Sequence, residues 1–161
     1  MPETSFTVKK EELKIIMERV FDAPRELVWK IITDPKLIPQ WWGPARFETV
    51  VDKMDFQVGG QWRFVHKGSG QEFAFHGVYK KIEQPSLIAD TFNFEGVPEG
   101  HEMVETMVLE DLGNGKTKAI ETSVFQNIQD LEGMAGSGME NGAVETWERL
   151  AKLVKKINNS L

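Results

Sequence analysis

The C-terminal stretch constrains this 161-residue chain more than any other feature. Met139, Ala143, Trp147, Leu150, Val154 and Ile157 recur at three- and four-residue steps, the spacing of one helical face. Glu145, Glu148, Lys152 and Lys155 occupy the opposite side, and Glu145–Arg149 and Glu148–Lys152 are favourable pairs four residues apart. A long helix of this kind has to bury its stripe. The large apolar partner on offer is the segment from Ala45 to Phe125, which carries the punctuation of antiparallel β structure. A helix packed on a curved sheet follows.

Within that segment, strands are expected near residues 47–54, 61–66, 72–82, 86–94, 103–112 and 117–125. Lys67-Gly68-Ser69-Gly70, Gln84-Pro85-Ser86 and Leu112-Gly113-Asn114-Gly115 supply turn residues between them, and Gly59-Gly60 marks a tight entry or a bulge. Such short connections make neighbouring strands pair in a meander. Alternation puts Phe73, Phe75 and Tyr79 on one face and Glu72, Ala74 and His76 on the other. Ahead of this run, residues 13–21 read as a strand. Asp22-Ala23-Pro24 then opens a short helix with Val28, Ile31 and Ile32 on its apolar side. A second short helix is expected over 35–41, ended by Trp42-Gly43-Pro44.

Composition narrows the chemistry. There is no cysteine, which excludes disulfide scaffolds, thiolate metal clusters and cysteine nucleophiles. Nineteen Lys and Arg against 25 Asp and Glu give a net charge of −6, so no nucleic-acid partner is expected. No apolar run reaches membrane-span length, and Met1-Pro2-Glu3-Thr4 leads into charged residues; a soluble, cytoplasmic protein is expected, as a single domain over 1–161 with its core at about 13–158. His66, His76 and His101 show no HExxH or HxH spacing. His66 and His76, even joined by Glu105 or Glu121 from neighbouring strands, make a weak metal set; no metal and no cofactor are expected. Ser69 sits in a hairpin turn rather than a nucleophile elbow. Gly133 and Gly138 have P-loop spacing, but Met139 and Glu140 replace the Lys and Ser/Thr, and the carboxylate would repel phosphate. The stretch reads instead as a lid-like loop entering the last helix.

Five motifs in order resemble one known family. They are Phe21-Asp22-Ala23-Pro24-Arg25-Glu26-Leu27-Val28-Trp29 with Thr33-Asp34-Pro35, then Trp41-Trp42-Gly43-Pro44, Gly59-Gly60-Gln61-Trp62-Arg63-Phe64, Phe75-His76-Gly77-Val78-Tyr79 with Pro85, and Trp147-Glu148-Arg149-Leu150. Together they resemble the domain related to the activator of Hsp90 ATPase, within the START-like, Bet v 1-like helix-grip superfamily. The resemblance spans about Ile15 to Ile157. It implies an α+β helix-grip fold: a seven-stranded antiparallel curved sheet around a long C-terminal helix, with two short helices after strand 1. Such folds commonly leave a cavity for an apolar ligand, although the fold does not settle the function.

The candidate ligand-binding set is aromatic and sulfur-rich: Trp41, Trp42, Trp62, Phe73, Phe75, His76, Phe92, Phe94, Met103, Met107 and Trp147. Arg63, His76, Glu105 and Glu121 are the polar residues able to orient a ligand. A filled core explains the same apolar residues without any ligand. Three functions stand open: a non-enzymatic binder of a small apolar or aromatic molecule, a chaperone-associated interaction module, and a cyclase- or aromatase-like enzyme using His76, Glu105 or Glu121. The sequence leaves a monomer and a dimer equally open.

Overall fold

Residues 3–161 are described by a computed structural model. Eight strands form one antiparallel sheet in the order β1-β2-β8-β7-β6-β5-β4-β3. They are β1 Ser5–Lys9, β2 Lys14–Phe21, β3 Glu48–Met54, β4 Gln61–Gly68, β5 Gln71–Glu83, β6 Leu87–Phe94, β7 Met103–Gly113 and β8 Lys116–Val124. Consecutive strands from β3 to β8 pair as a meander, and β2 closes onto β8 with Met17 opposite Glu121. The strands at the two ends, β1 and β3, are the open rims of the sheet, and β3 is interrupted by a bulge between Val51 and Lys53.

The helices are α1 Arg25–Thr33, α2 Ile128–Ala135 and α3 Met139–Asn159. On α3 the expected stripe is buried: Trp147, Leu150 and Val154 retain at most 2 % exposure. They pack with Phe21, Val28 and Ile31 of β2 and α1 in the main core. The Phe21 and Trp147 rings lie 5.9 Å apart. At the polar edge, Arg19 of β2 donates to both carboxylate oxygens of Glu148, at 2.9 and 3.0 Å, and Glu148 also accepts from the Thr4 hydroxyl. The fold is the α+β helix-grip arrangement, with three departures in detail.

The sheet has eight strands rather than seven. The additional β1 pairs with β2 through Phe6↔Met17 and Val8↔Ile15. Its link to β2 is a 3-10 turn at Lys10–Glu12 closed by Leu13 at φ 55°, so the turn contains none of the Gly, Asn or Pro that normally advertise one. The second short helix is only a single 3-10 turn, Ile38–Gln40. The expected loop over 133–140 is partly helical, because α2 runs through Gly133 to Ala135. Asn127 caps α2 by accepting from the Asp130 amide at 2.8 Å, and Leu131 anchors it in a second cluster with Ile15, Met103 and Phe125.

Candidate functional site

The face of α3 is not uniform along its length. Its later turns bring Leu150 and Val154 into the core, but its first turns bring Gly142, Ala143 and Thr146 toward the sheet. Small side chains there meet Phe75, Phe92 and Met107 from the strands, and a hollow of about 480 Å³ remains between them. That volume lies in the range typical of small-molecule sites. Met134, Ser137, Gly138 and Met139, from the α2–α3 junction, close one end. Trp41, Trp42, Gly43, Pro44 and Arg46 border another.

The Trp41–Arg46 segment is held to α3 by side chains. Arg149 donates to the carbonyls of Gly43 and of Gln40, the latter at 3.0 Å, and Glu145 accepts from the Ala45 amide at 2.7 Å. Gly43 has φ +85°, and a Cβ there would lie 2.4 Å from His66 Nε2. Only glycine fits this position. Trp42 sits in an aromatic cluster, edge-on to Phe64 at 5.0 Å and to Phe75 at 5.4 Å.

Of the expected ligand-binding set, Trp41, Trp42, Phe75, Phe92, Phe94, Met103, Met107 and Trp147 border the hollow. Three do not. Trp62 shares the face of Phe64 but is packed into the core, 4.9 Å from Phe64 and 5.6 Å from Phe92. Phe73 faces the same way as Phe75 but lies beyond the covered part of the sheet, 44 % exposed, against Phe47. His76 follows Phe75 directly, so the two-residue period of the strand turns it to the opposite face. There its Nδ1 meets Glu95 at 3.1 Å, and Arg63 donates to the same carboxylate at 2.8 and 2.9 Å. These hydrogen bonds from Arg63, with a further one from His76, hold Glu95 below the usual carboxylate range. His76 and Arg63 therefore form an outer-surface network rather than ligand-orienting groups.

The polar groups on the inner face are Asp90, Glu105 and Glu121, with His66, Tyr79 and Ser123. Glu105 and Glu121 were expected candidates; Asp90 and His66 were not. Their signal was alternation: Ile88-x-Asp90-x-Phe92 and Trp62-x-Phe64-x-His66 each place a polar residue within an inward series. Removal from bulk water, followed by the charge of Glu121, pushes Asp90 and Glu105 well above the usual carboxylate range; Asp90 adds to the effect on Glu105. Burial raises Glu121 to about 7. Burial, then the Arg149 charge, lowers His66 to about 4, so its imidazole is neutral. Among the described residues no group of three His, Cys, Asp or Glu has the arrangement to hold a metal ion.

The profile of the family described as Activator of Hsp90 ATPase homolog 1-like protein matches residues 22–155. The chain belongs to this family. Several solved structures share its architecture. It is similar to the solution NMR structure of a protein from Arthrobacter aurescens, with 26% identity, a TM-score of 0.87, and 94% of this chain and 91% of that one covered. Protein Ms6760 from Mycobacterium smegmatis has 18% identity and a TM-score of 0.84, covering 92% and 94% of the two chains. The AHSA1 protein from Silicibacter pomeroyi has 22% identity and a TM-score of 0.71, covering 88% and 97%. The latter two likenesses concern the fold alone. A search of curated proteins finds no match. No helix among the described residues is long and apolar enough to cross a membrane.

Proposed function

We propose that this family member binds a small, largely apolar or aromatic molecule in the hollow between the sheet and the first turns of α3. The observation that carries the reading is the size mismatch across that interface: Gly142, Ala143 and Thr146 face Phe75, Phe92 and Met107, and about 480 Å³ lies unfilled. Packed cores avoid voids of this size because each forgoes dispersion contacts. The test is titration with an apolar fluorescent probe, read by tryptophan emission and thermal shift. A single saturable site and a raised Tm are expected, with ~2.7 kcal/mol of stabilisation at ~100 times the Kd. Ala143→Phe places a ring in the hollow and is expected to abolish binding while the fold persists. Failure of the wild-type chain to saturate or shift would move the chaperone-associated reading ahead.

An acid–base enzyme is the second reading, favoured by the interacting carboxyls of Asp90, Glu105 and Glu121 on the inner face. In it Glu121, poised at about 7, takes the proton-transfer role for which the sequence offers His76, Glu105 and Glu121.

A further inference from the structure

The binding reading leaves one feature of the hollow unexplained. A site for a plain hydrocarbon needs no charge, yet three carboxyl groups line this one. Asp90 of β6 is the register partner of Glu105 of β7. Glu105 in turn pairs with Ser123 of β8, two residues from Glu121, which itself pairs with Met107. Register partners and residues two apart share a face of a sheet, so all three carboxyls project toward α3 from adjacent strands. Among the described residues no protein group donates a hydrogen bond to any of them, and none is within ion-pair distance of a cation.

The surrounding elements confirm that the shortage is general. Facing the cluster from β5 is Tyr79, the register partner of Asp90, whose hydroxyl burial pushes upward and keeps neutral. From β4 comes His66, also neutral. The first turns of α3 offer Met139, Gly142, Ala143, Thr146 and Trp147, with no charge. Arg46 stands at the rim, exposed and stacked over Phe47. The Arg149 guanidinium is committed to the carbonyls of Gln40 and Gly43. These three carboxyls are partly exposed, into the hollow, and folded chains rarely gather unpartnered carboxyls away from bulk water without a use.

Resting on the binding reading, we propose that the molecule held here carries a protonated amine on an apolar or aromatic body, with the ammonium group received by Asp90, Glu105 and Glu121. An ammonium group has three donors and one positive charge, which the acceptor-only carboxylates complement. Trp42, Phe75 and Trp147 border the hollow and supply aromatic surface for the apolar body. A neutral hydrocarbon leaves every carboxyl unpaired, and an anionic ligand meets repulsion as the cluster ionises toward higher pH. Bringing a cation to carboxyls that burial has kept protonated displaces protons, so binding strengthens as pH rises toward the amine's own pKa of ~10.

The experiment compares three probes with the same ring: naphthylethylamine, naphthylethanol and naphthylpropanoate, titrated calorimetrically at ~pH 6 and ~pH 8 in buffers of different ionisation enthalpy. The amine is expected to bind at least about tenfold more tightly than the alcohol at the higher pH, by the usual strength of hydrogen bonds to charged groups. Its preference should shrink at the lower pH, with buffer-dependent heat reporting released protons. The propanoate should bind most weakly. Glu105→Gln and Glu121→Gln should each erase most of the preference for the amine over the alcohol, and hold or raise the Tm of the free protein. Equal binding of amine and alcohol by the wild-type chain overturns the ammonium proposal and leaves the binding reading standing. So does tightest binding of the propanoate, or a preference unchanged in both glutamine variants. Binding of none of the three overturns both. The wild-type comparison decides even if a variant fails to fold.

Discussion

The Arg149 side chain of α3 joins the Gly43 carbonyl, spanning 106 positions of sequence. With its second bond to Gln40, it fixes the mouth segment to the helix. Arg149→Met keeps the apolar stem but removes both donations, and ~1–2 kcal/mol of stability is expected to go, read by urea denaturation. Loss of the nearby charge also relieves part of the depression of His66. An NMR titration of the His66 ring should show its pKa rising from about 4. An unchanged value would separate Arg149 from the imidazole.

Stability should fall as pH rises through neutrality. Burial raises the Glu121 pKa from 4.5 to about 7, so between those values the folded chain binds more protons than the unfolded one. That contribution is complete below ~pH 4.5 and is lost through ~pH 7. Glu105 and Asp90, shifted upward as well, act in the same direction. His66 opposes them: its depressed pKa adds stability as pH climbs from about 4 to 6.5, and adds no further slope above that. The slope above ~pH 6.5 is therefore owed to the carboxyls. Glu121→Gln should flatten it by ~1 kcal/mol between ~pH 6.5 and ~pH 8, measured by denaturation midpoints.

Gly77 of β5 leaves no room for a side chain beside Thr91 of β6. A Cβ there would stand 1.8 Å from the Thr91 carbonyl oxygen and 2.6 Å from Trp62 Nε1. Since the obstacle is backbone, Gly77→Ala is expected to destabilise by ~3 kcal/mol or more. Soluble yield and Tm check it. A near-native Tm would mean that the two strands can part without penalty.

Trp147→Ala should cost ~3 kcal/mol, the lower end for a buried aromatic. Trp147 is only 2 % exposed, but one side of its ring borders the hollow and has fewer atoms to lose. Chemical denaturation reads the cost, and a loss near ~5 kcal/mol would indicate contacts on every side.

The parts of this fold that were legible in the sequence are those with regular spacing. The α3 stripe and the Gly- and Asn-marked hairpins, such as Gly113-Asn114-Gly115, located the helix and six strands to within a few residues. What was not legible depended on contacts made by distant residues. Strand β1 is held by Phe6 and Val8 against β2, and its turn places Leu13 in a left-handed conformation that no local residue preference announces. The site divided in the same way. Alternation separated Phe75 from His76, yet it did not say where along the sheet α3 would cover it, so Phe73 and Phe75 looked equivalent. Asp90 was overlooked because a charge on a strand ordinarily signals the solvent side. Its alternation with Ile88 and Phe92 carries the inward signal, and the register with Glu105 agrees with it.

The sheet is not closed into a barrel, and each of its rims bears on how copies of the chain behave when crowded. A free strand edge is a template on which another chain can continue hydrogen bonding. Here β1 is only five residues long and turns Ser5, Thr7 and Lys9 outward, while β3 exposes Glu48, Asp52 and Lys53 around its bulge. Shortness at one rim, with charge and a broken ladder at the other, discourages edge-to-edge growth into aggregates. The open architecture that leaves room between sheet and helix is thus kept from polymerising by features at its margins.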